Sequence, residues 1–267
     1  MVNTLGFHLA AVLFLVPAAV LPLWRAAKPV WQAAATVLAA MGPTFWVTWQ
    51  LTEGWHTGVS ATLWVAIATS ALLFFLVTMV SRHAWRLAPL LMPYLGLLGV
   101  VAGVTAGADD AVLPLRGQAP PAAWLVFHIV VSVITYGLLT IAAVAALGAF
   151  LQERALKRKQ PTRLTRLLPS VTESERLSVA LLAWSEAVLG LGLLSGMAVQ
   201  TFVSGTLLVL DHKTLLSLLA FAVIGGLLAA HRWAGVRGRA AARYVLLAYL
   251  LLTLAFPGVK FISTVLA

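Results

Sequence analysis

Cysteine is absent from the 267 residues, and Asp and Glu together number only 8. Without thiols there is no disulfide framework, no iron–sulfur cluster, no thiolate zinc site and no thiol redox chemistry. Charge of either sign is scarce, at 10% of the chain, where a soluble domain carries about 25%. Signatures of catalysis are missing too: there is no HExxH, no P-loop, no GxSxG and no constellation of paired carboxylates. The expectation is therefore a protein that is not an enzyme. What is abundant is apolar surface, with 61% hydrophobic residues and a mean hydropathy of +0.98. A span takes about 20 apolar residues, so a chain of this length has room for roughly eight.

The apolar stretches are continuous and do not alternate in ten-residue pieces, which excludes a transmembrane barrel. They predict an all-α polytopic membrane protein, a bundle of about eight transmembrane helices over 5–24, 31–51, 58–80, 85–106, 122–152, 176–203, 212–231 and 241–264. The first run, Leu5 to Leu23, spans by length and has no basic region before it, so it reads as a span and not as a cleavable signal. Two halves are expected, an N-terminal four-helix half over 1–121 and a C-terminal one over 122–267. Tryptophans near the second turn (Trp46, Trp49, Trp55, Trp64) read as interfacial anchors.

The net charge of +10 invites a nucleic-acid partner, but its distribution argues against one. Fifteen of the 18 basic residues fall in the connections after the first, third, fifth and seventh spans. The opposite side holds Arg116, Lys213 and Lys260 with Glu53, Asp109, Asp110 and Asp211. By the positive-inside rule both termini then lie outside the cytoplasm, and the protein sits as a multi-pass chain in a bacterial inner membrane, with membrane lipid as its constant partner. In the basic connection from Glu153 to Glu175, Leu164, Leu167 and Leu168 alternate with Arg163 and Arg166. That pattern fits a segment dipping into the leaflet, or a solvated linker.

Ionisable groups inside a membrane are costly and mark candidate sites. Glu186, deep in the sixth span, is the clearest; it would relay a proton, pair with an Arg or bind a cationic group, or else cap a polar cluster with Ser185 and Gln200. The histidines sort by depth. His212 and His231 stand at opposite ends of the seventh span, about 28 Å apart, and cannot share a metal ion. His128 and His212 lie at similar depth on the outer side. Two neutral imidazoles at matched depth suit a six-coordinate haem iron in a helix bundle. On the fifth span Trp124, His128, Ser132, Thr135 and Tyr136 recur every three or four residues along one stripe. The stripe would flank a porphyrin, or supply an aromatic belt and interhelical hydrogen bonds.

The C-terminal half resembles the cytochrome c assembly family, most closely its short YpjD-like (HemX-like) branch. The matching pieces come in order: Trp124-Leu125-Val126-Phe127-His128 with Ser132 and Tyr136, then Leu168-Pro169 with Glu173 or Glu175. They continue with His212-Lys213-Thr214-Leu215-Leu216, then His231, then Gly235-Val236-Arg237-Gly238-Arg239, and finally Phe256-Pro257-Gly258-Val259-Lys260-Phe261. The resemblance implies a non-enzymatic factor that binds or hands on haem b and works with apocytochrome or a partner membrane protein. Carried over, His128 resembles the outer-face haem histidine and His231 the histidine within the membrane. Should a second site sit near His231, Arg232, Arg237 and Arg239 would hold its propionates. The tryptophan-rich outer segment of the larger relatives is missing, since residues 107–121 contain no Trp. Two other classes are carried forward: a cofactor-free accessory or regulatory subunit, and a small transporter using Glu186.

Overall fold

The computed structural model describes residues 2–24, 29–53, 58–106, 122–206 and 210–258. His56, Trp55, Arg116 and the segment 107–121 lie outside them, as do Arg25, Lys28, Lys260 and Phe261. The described chain is helical with no strand. In order it forms α1 (Val2–Leu13), α2 (Val16–Val20), α3 (Pro29–Glu53), α4 (Val59–Val80), α5 (Ala88–Val104), α6 (Ala122–Arg158), α7 (Arg163–Leu167), α8 (Val171–Ser204), α9 (His212–Trp233) and α10 (Gly238–Thr253). A π-helical turn, Leu254–Gly258, follows α10. Seven described stretches are long and apolar enough to cross a membrane. The other expected span, 31–51, is present as the 25-residue α3. Its Gln32, Gln50 and Pro43 dilute the hydropathy that the sequence count had credited to it.

Proline breaks the first span in two. Pro17 offers no N–H and its ring clashes with the carbonyl four residues back, so α1 stops at Leu13 and α2 starts at Val16. The tryptophans of the second and third spans are not all anchors. Trp64 is fully buried and Trp46 nearly so, and the Trp64 indole donates to His8 Nδ1 at 2.7 Å. Only Trp49 of the described members faces outward.

Helix α6 is the axis of the bundle. Nearly three-quarters of its span is buried (72%), against 17% for α9. Its continuous face of Leu139, Ile141, Ala142, Ala145 and Ala146 lets α4, α8 and α10 approach closely. Both α6 and α8 run past the predicted span ends. At 37 and 34 residues they are about 55 and 51 Å long, against a hydrocarbon core of about 30 Å. Helix formers carry α6 beyond the apolar run, helped by a Glu153–Lys157 ion pair one turn apart. The short α7 then turns the chain back. Leu164 packs on the core and Leu168 is buried, while Gln152 Nε2 donates to the Thr165 carbonyl at 2.6 Å. These apolar residues face protein and not the leaflet, because Gln152 ties the connection down onto α6.

The connections at 81–87, 159–170 and 234–237 meet at one end of the bundle. There His83 Nδ1 pairs with Glu173 at 2.8 Å, and the Gly238 N–H donates to Glu175 at 2.6 Å. This is the basic end, with Arg82, Arg86, Arg154, Arg158, Arg163, Arg166, Arg176 and Arg232 around it. The opposite end carries the start of α6, the end of α8 and the start of α9. Three phenols join α5, α6 and α10 midway: Tyr249 contacts the hydroxyls of Tyr94 and of Tyr136, the latter at 3.1 Å.

Asp211 caps α9 by accepting the Thr214 N–H at 2.7 Å. That bond holds its carboxyl below the ordinary carboxylate range. A lowered value means stability that is present above about pH 3.9 and is lost as pH falls through the folded-state value. Asp211→Ala should therefore cost about 1 kcal/mol at neutral pH. Asp211→Asn should keep the cap but lose its share of the acid sensitivity. Thermal unfolding in detergent at neutral and acidic pH checks both.

Candidate functional site

At the end opposite the arginines, α6, α8, α9 and the π-helical turn enclose a cavity of about 340 Å³, within the range of cofactor sites. Most of its wall is apolar, from Ile129, Leu189, Leu193, Met197, Leu218 and Phe256. The polar lining comes from all three helices: His128, Ser132, Thr135 and Tyr136 on α6, Gln200 on α8, and Lys213, Thr214 and Ser217 on α9 with Asp211 at its cap.

Local chemistry fixes the His128 ring. Its Nδ1 lies 2.9 Å from Ser195 Oγ, and the Ser195 hydroxyl donates to the Gly192 carbonyl at 2.9 Å. In the arrangement where the serine proton goes to that carbonyl, Nδ1 is the donor of the His128–Ser195 pair and Nε2 keeps its lone pair. A histidine held by its other nitrogen in this way is the form that ligates metal. The ring lies against Gly196, where a Cβ would stand 3.0 Å from Cε1. Glycine at that position leaves room for the imidazole between α6 and α8.

The structure divides the predicted stripe between cavity and surface. His128, Ser132, Thr135 and Tyr136 line the cavity, but Trp124 is 40% exposed and packs on Phe127. The hydroxyls of Ser132 and Thr135 donate to their own helix, to the carbonyls of His128 and Val131. Of the three hydroxyls proposed for interhelical bonds, Tyr136 alone makes one. His212 is the first residue of α9 and is exposed; it does not line the cavity, whereas its neighbours Asp211 and Lys213 do.

His231 sits at the other end. Its Nδ1 bonds the Val236 carbonyl at 2.9 Å, and it lines a narrow cavity with Glu175, Ser178 and Arg237. That space, about 30 Å³, holds a water molecule and not a macrocycle. Arg239 lies over the Phe150 ring at 5.6 Å. Glu186 does not join Ser185 or Gln200. Ser185 is buried and donates to the Leu182 carbonyl, and Gln200 bonds Thr214 at the far end of α8. No described group of three or more His, Asp or Glu side chains gathers where a metal ion would sit.

Sequence reasoning missed Ser195, Gly196, Met197 and Phe256. Gly192 and Gly196 do form a small-xxx-small pair, a signal for close helix approach, but it gave no hint that the approaching group is a histidine. Phe256 reaches the cavity from the π-helical turn, and such a turn is not legible in a hydropathy pattern.

No solved structure matches this chain. A curated relative from Azospirillum brasilense, described as an uncharacterized 28.8 kDa protein in the nifR3-like 5' region, is 53% identical over 272 positions, covering 100% of this chain and 99% of the relative. The family model described as "Cytochrome C assembly protein" matches residues 33–267, so the likeness reaches well ahead of the motifs beginning at Trp124. With that match over most of its length, the chain belongs to the cytochrome c assembly protein family.

Proposed function

We propose that this protein binds and hands on haem during cytochrome c maturation, at the cavity beside His128. The supporting observation is His128 lining the cavity with its Nδ1 anchored 2.9 Å from Ser195 Oγ, which in the Nδ1-donating tautomer leaves the Nε2 lone pair to ligate. The lining fits the group: apolar walls for a flat macrocycle, one imidazole for iron, and Lys213 with Gln200 and Thr214 for carboxylates. When bound, haem iron supplies coordination positions that imidazole nitrogens fill.

Each residue then has a task. Ser195 fixes the His128 tautomer, and Gly196 admits the ring. Lys213 would hold a propionate near the mouth, while Tyr136 and Phe256 close the floor. His212, exposed at the start of α9 beside Asp211 and Lys213, would be the candidate for a second imidazole held against the iron. His231, Arg237 and Arg239 would form a separate site at the basic end only if the narrow cavity there widened. Basic-end arginines support a cytoplasmic placement of that end, and in that orientation His128 would stand on the outer side of the inner membrane, where apocytochrome would be met. On this reading the protein is a non-enzymatic assembly factor that works with apocytochrome or another membrane component.

Titrating the purified protein with haemin should give a Soret band. His128→Ala should abolish it or weaken binding by about 10- to 100-fold or more, and Ser195→Ala should weaken it by about 10- to 100-fold as the loss of a ligand's hydrogen-bond partner. Metal-free protoporphyrin, which uses no axial ligand, should bind His128→Ala as it binds wild type. His212→Ala, titrated alone, reports on the second position. Wild-type protein without a Soret band would discard the reading in favour of a cofactor-free accessory subunit.

A further inference from the structure

The large and narrow cavities lie along one seam between α8 and α9. On α8 the narrow cavity takes Glu175 to Leu182 and the large one Leu189 to Gln200; on α9 they take Leu227 to His231 and Asp211 to Leu218. Glu186 and Gly225 fall in both gaps and line neither cavity. They face each other: a Cβ on Gly225 would stand 2.9 Å from Glu186 Oε1. The other carboxyl oxygen, Oε2, is buried with no hydrogen-bond partner. Neither ion pair among the described residues involves Glu186.

Other groups packed on α8 do not neutralise it. On α6 these are His128, Tyr136, Glu153, Arg154, Lys157 and Arg158. Tyr136 lies at a similar level, between the His128–Ser195 and Ala142–Ser178 contacts, and its hydroxyl is engaged by Tyr249. On α9 they are His212, Lys213, His231 and Arg232, of which His231 is nearest to Gly225 in sequence, about 9 Å along the helix. An ionised carboxylate lacking both counter-charge and donor is poorly tolerated inside a membrane, whereas a neutral acid lodges there at far lower cost. A structural side chain would need no acid at this depth, and Gly225 leaves a notch that only Glu186 fills.

We propose that Glu186 is a proton-binding site forming the partition between the two cavities. Seated in the Gly225 notch as the neutral acid, it closes the α8–α9 seam. Loss of its O–H proton to a water in either cavity leaves a carboxylate that quits the notch and opens a path between them. The device does not depend on which ligand the large cavity holds.

The cysteine-free chain makes this testable on the full-length protein in membrane vesicles of both orientations. A hydrophobic carbodiimide, which attacks protonated carboxyls, should label Glu186 in acidic buffer. Labelling should fall about tenfold per pH unit above the titration point and vanish in Glu186→Gln. A thiol placed by Leu228→Cys in the narrow cavity should resist an impermeant reagent supplied from the His128 side in acidic buffer, and at every pH when combined with Glu186→Gln. It should react in alkaline buffer, and at every pH when combined with Gly225→Ala or Glu186→Ala. Glu186→Ala serves if Gly225→Ala does not fold. Labelling that ignores pH, or a Leu228→Cys thiol equally reactive in all backgrounds, would overturn the proposal.

Discussion

A hydrocarbon interior offers no partner to an open peptide group, so every described span must satisfy its own backbone as a helix. This constraint governs the remainder of the architecture. With backbone polarity spent inside each helix, the polar contacts that join helices must come from side chains, and there are few. Among the described residues they include the His128–Ser195 contact, the Ser178 hydroxyl on the Ala142 carbonyl, the phenols of Tyr94, Tyr136 and Tyr249, the Trp64 indole on His8, Gln200 on Thr214 and Glu175 on the Gly238 N–H. Each one therefore sets a local register as well as a contact.

The large cavity follows from the same economy. Small residues on α8, Gly192, Ser195 and Gly196, draw the helix against α6 at the level of His128. The α9 helix, mostly unburied, stands off far enough to leave space between the three. Close approach on one side and separation on the other turn a packed bundle into a container. The site's one histidine is thereby held by a serine that also reaches the Gly192 carbonyl.

Fold class was legible because it is written in composition: apolar runs of span length leave a chain of this charge little alternative. Span ends were less so, since α6 continues through Glu153, Arg154 and Lys157 on helix propensity where hydropathy had already stopped. Depth along a helix was readable for His128, His212 and His231, but azimuth was not. His212 and Lys213 are adjacent in sequence and differ by about 100° around the helix, and only the latter faces the cavity. Trp46 and Trp64 misled for a related reason: an indole at an interface and one bonded to a buried histidine look alike in a string. The family motifs include His128, which lines the cavity, while Ser195, which bonds its ring, lay outside them.

The two longest helices carry the cavity near one extremity and the arginine-rich elbow at the other, with no break between. Such rods behave as levers. A few degrees of tilt imposed on the elbow by a lipid headgroup or a docked protein swings His128 and Ser195 at the far tip, some tens of ångströms away. Imidazole and hydroxyl ride on different rods, so any tilt not shared by both strains the bond that sets which nitrogen is free. Mechanical load on the arginine-rich elbow is thus felt at the His128–Ser195 contact at the far end of the bundle.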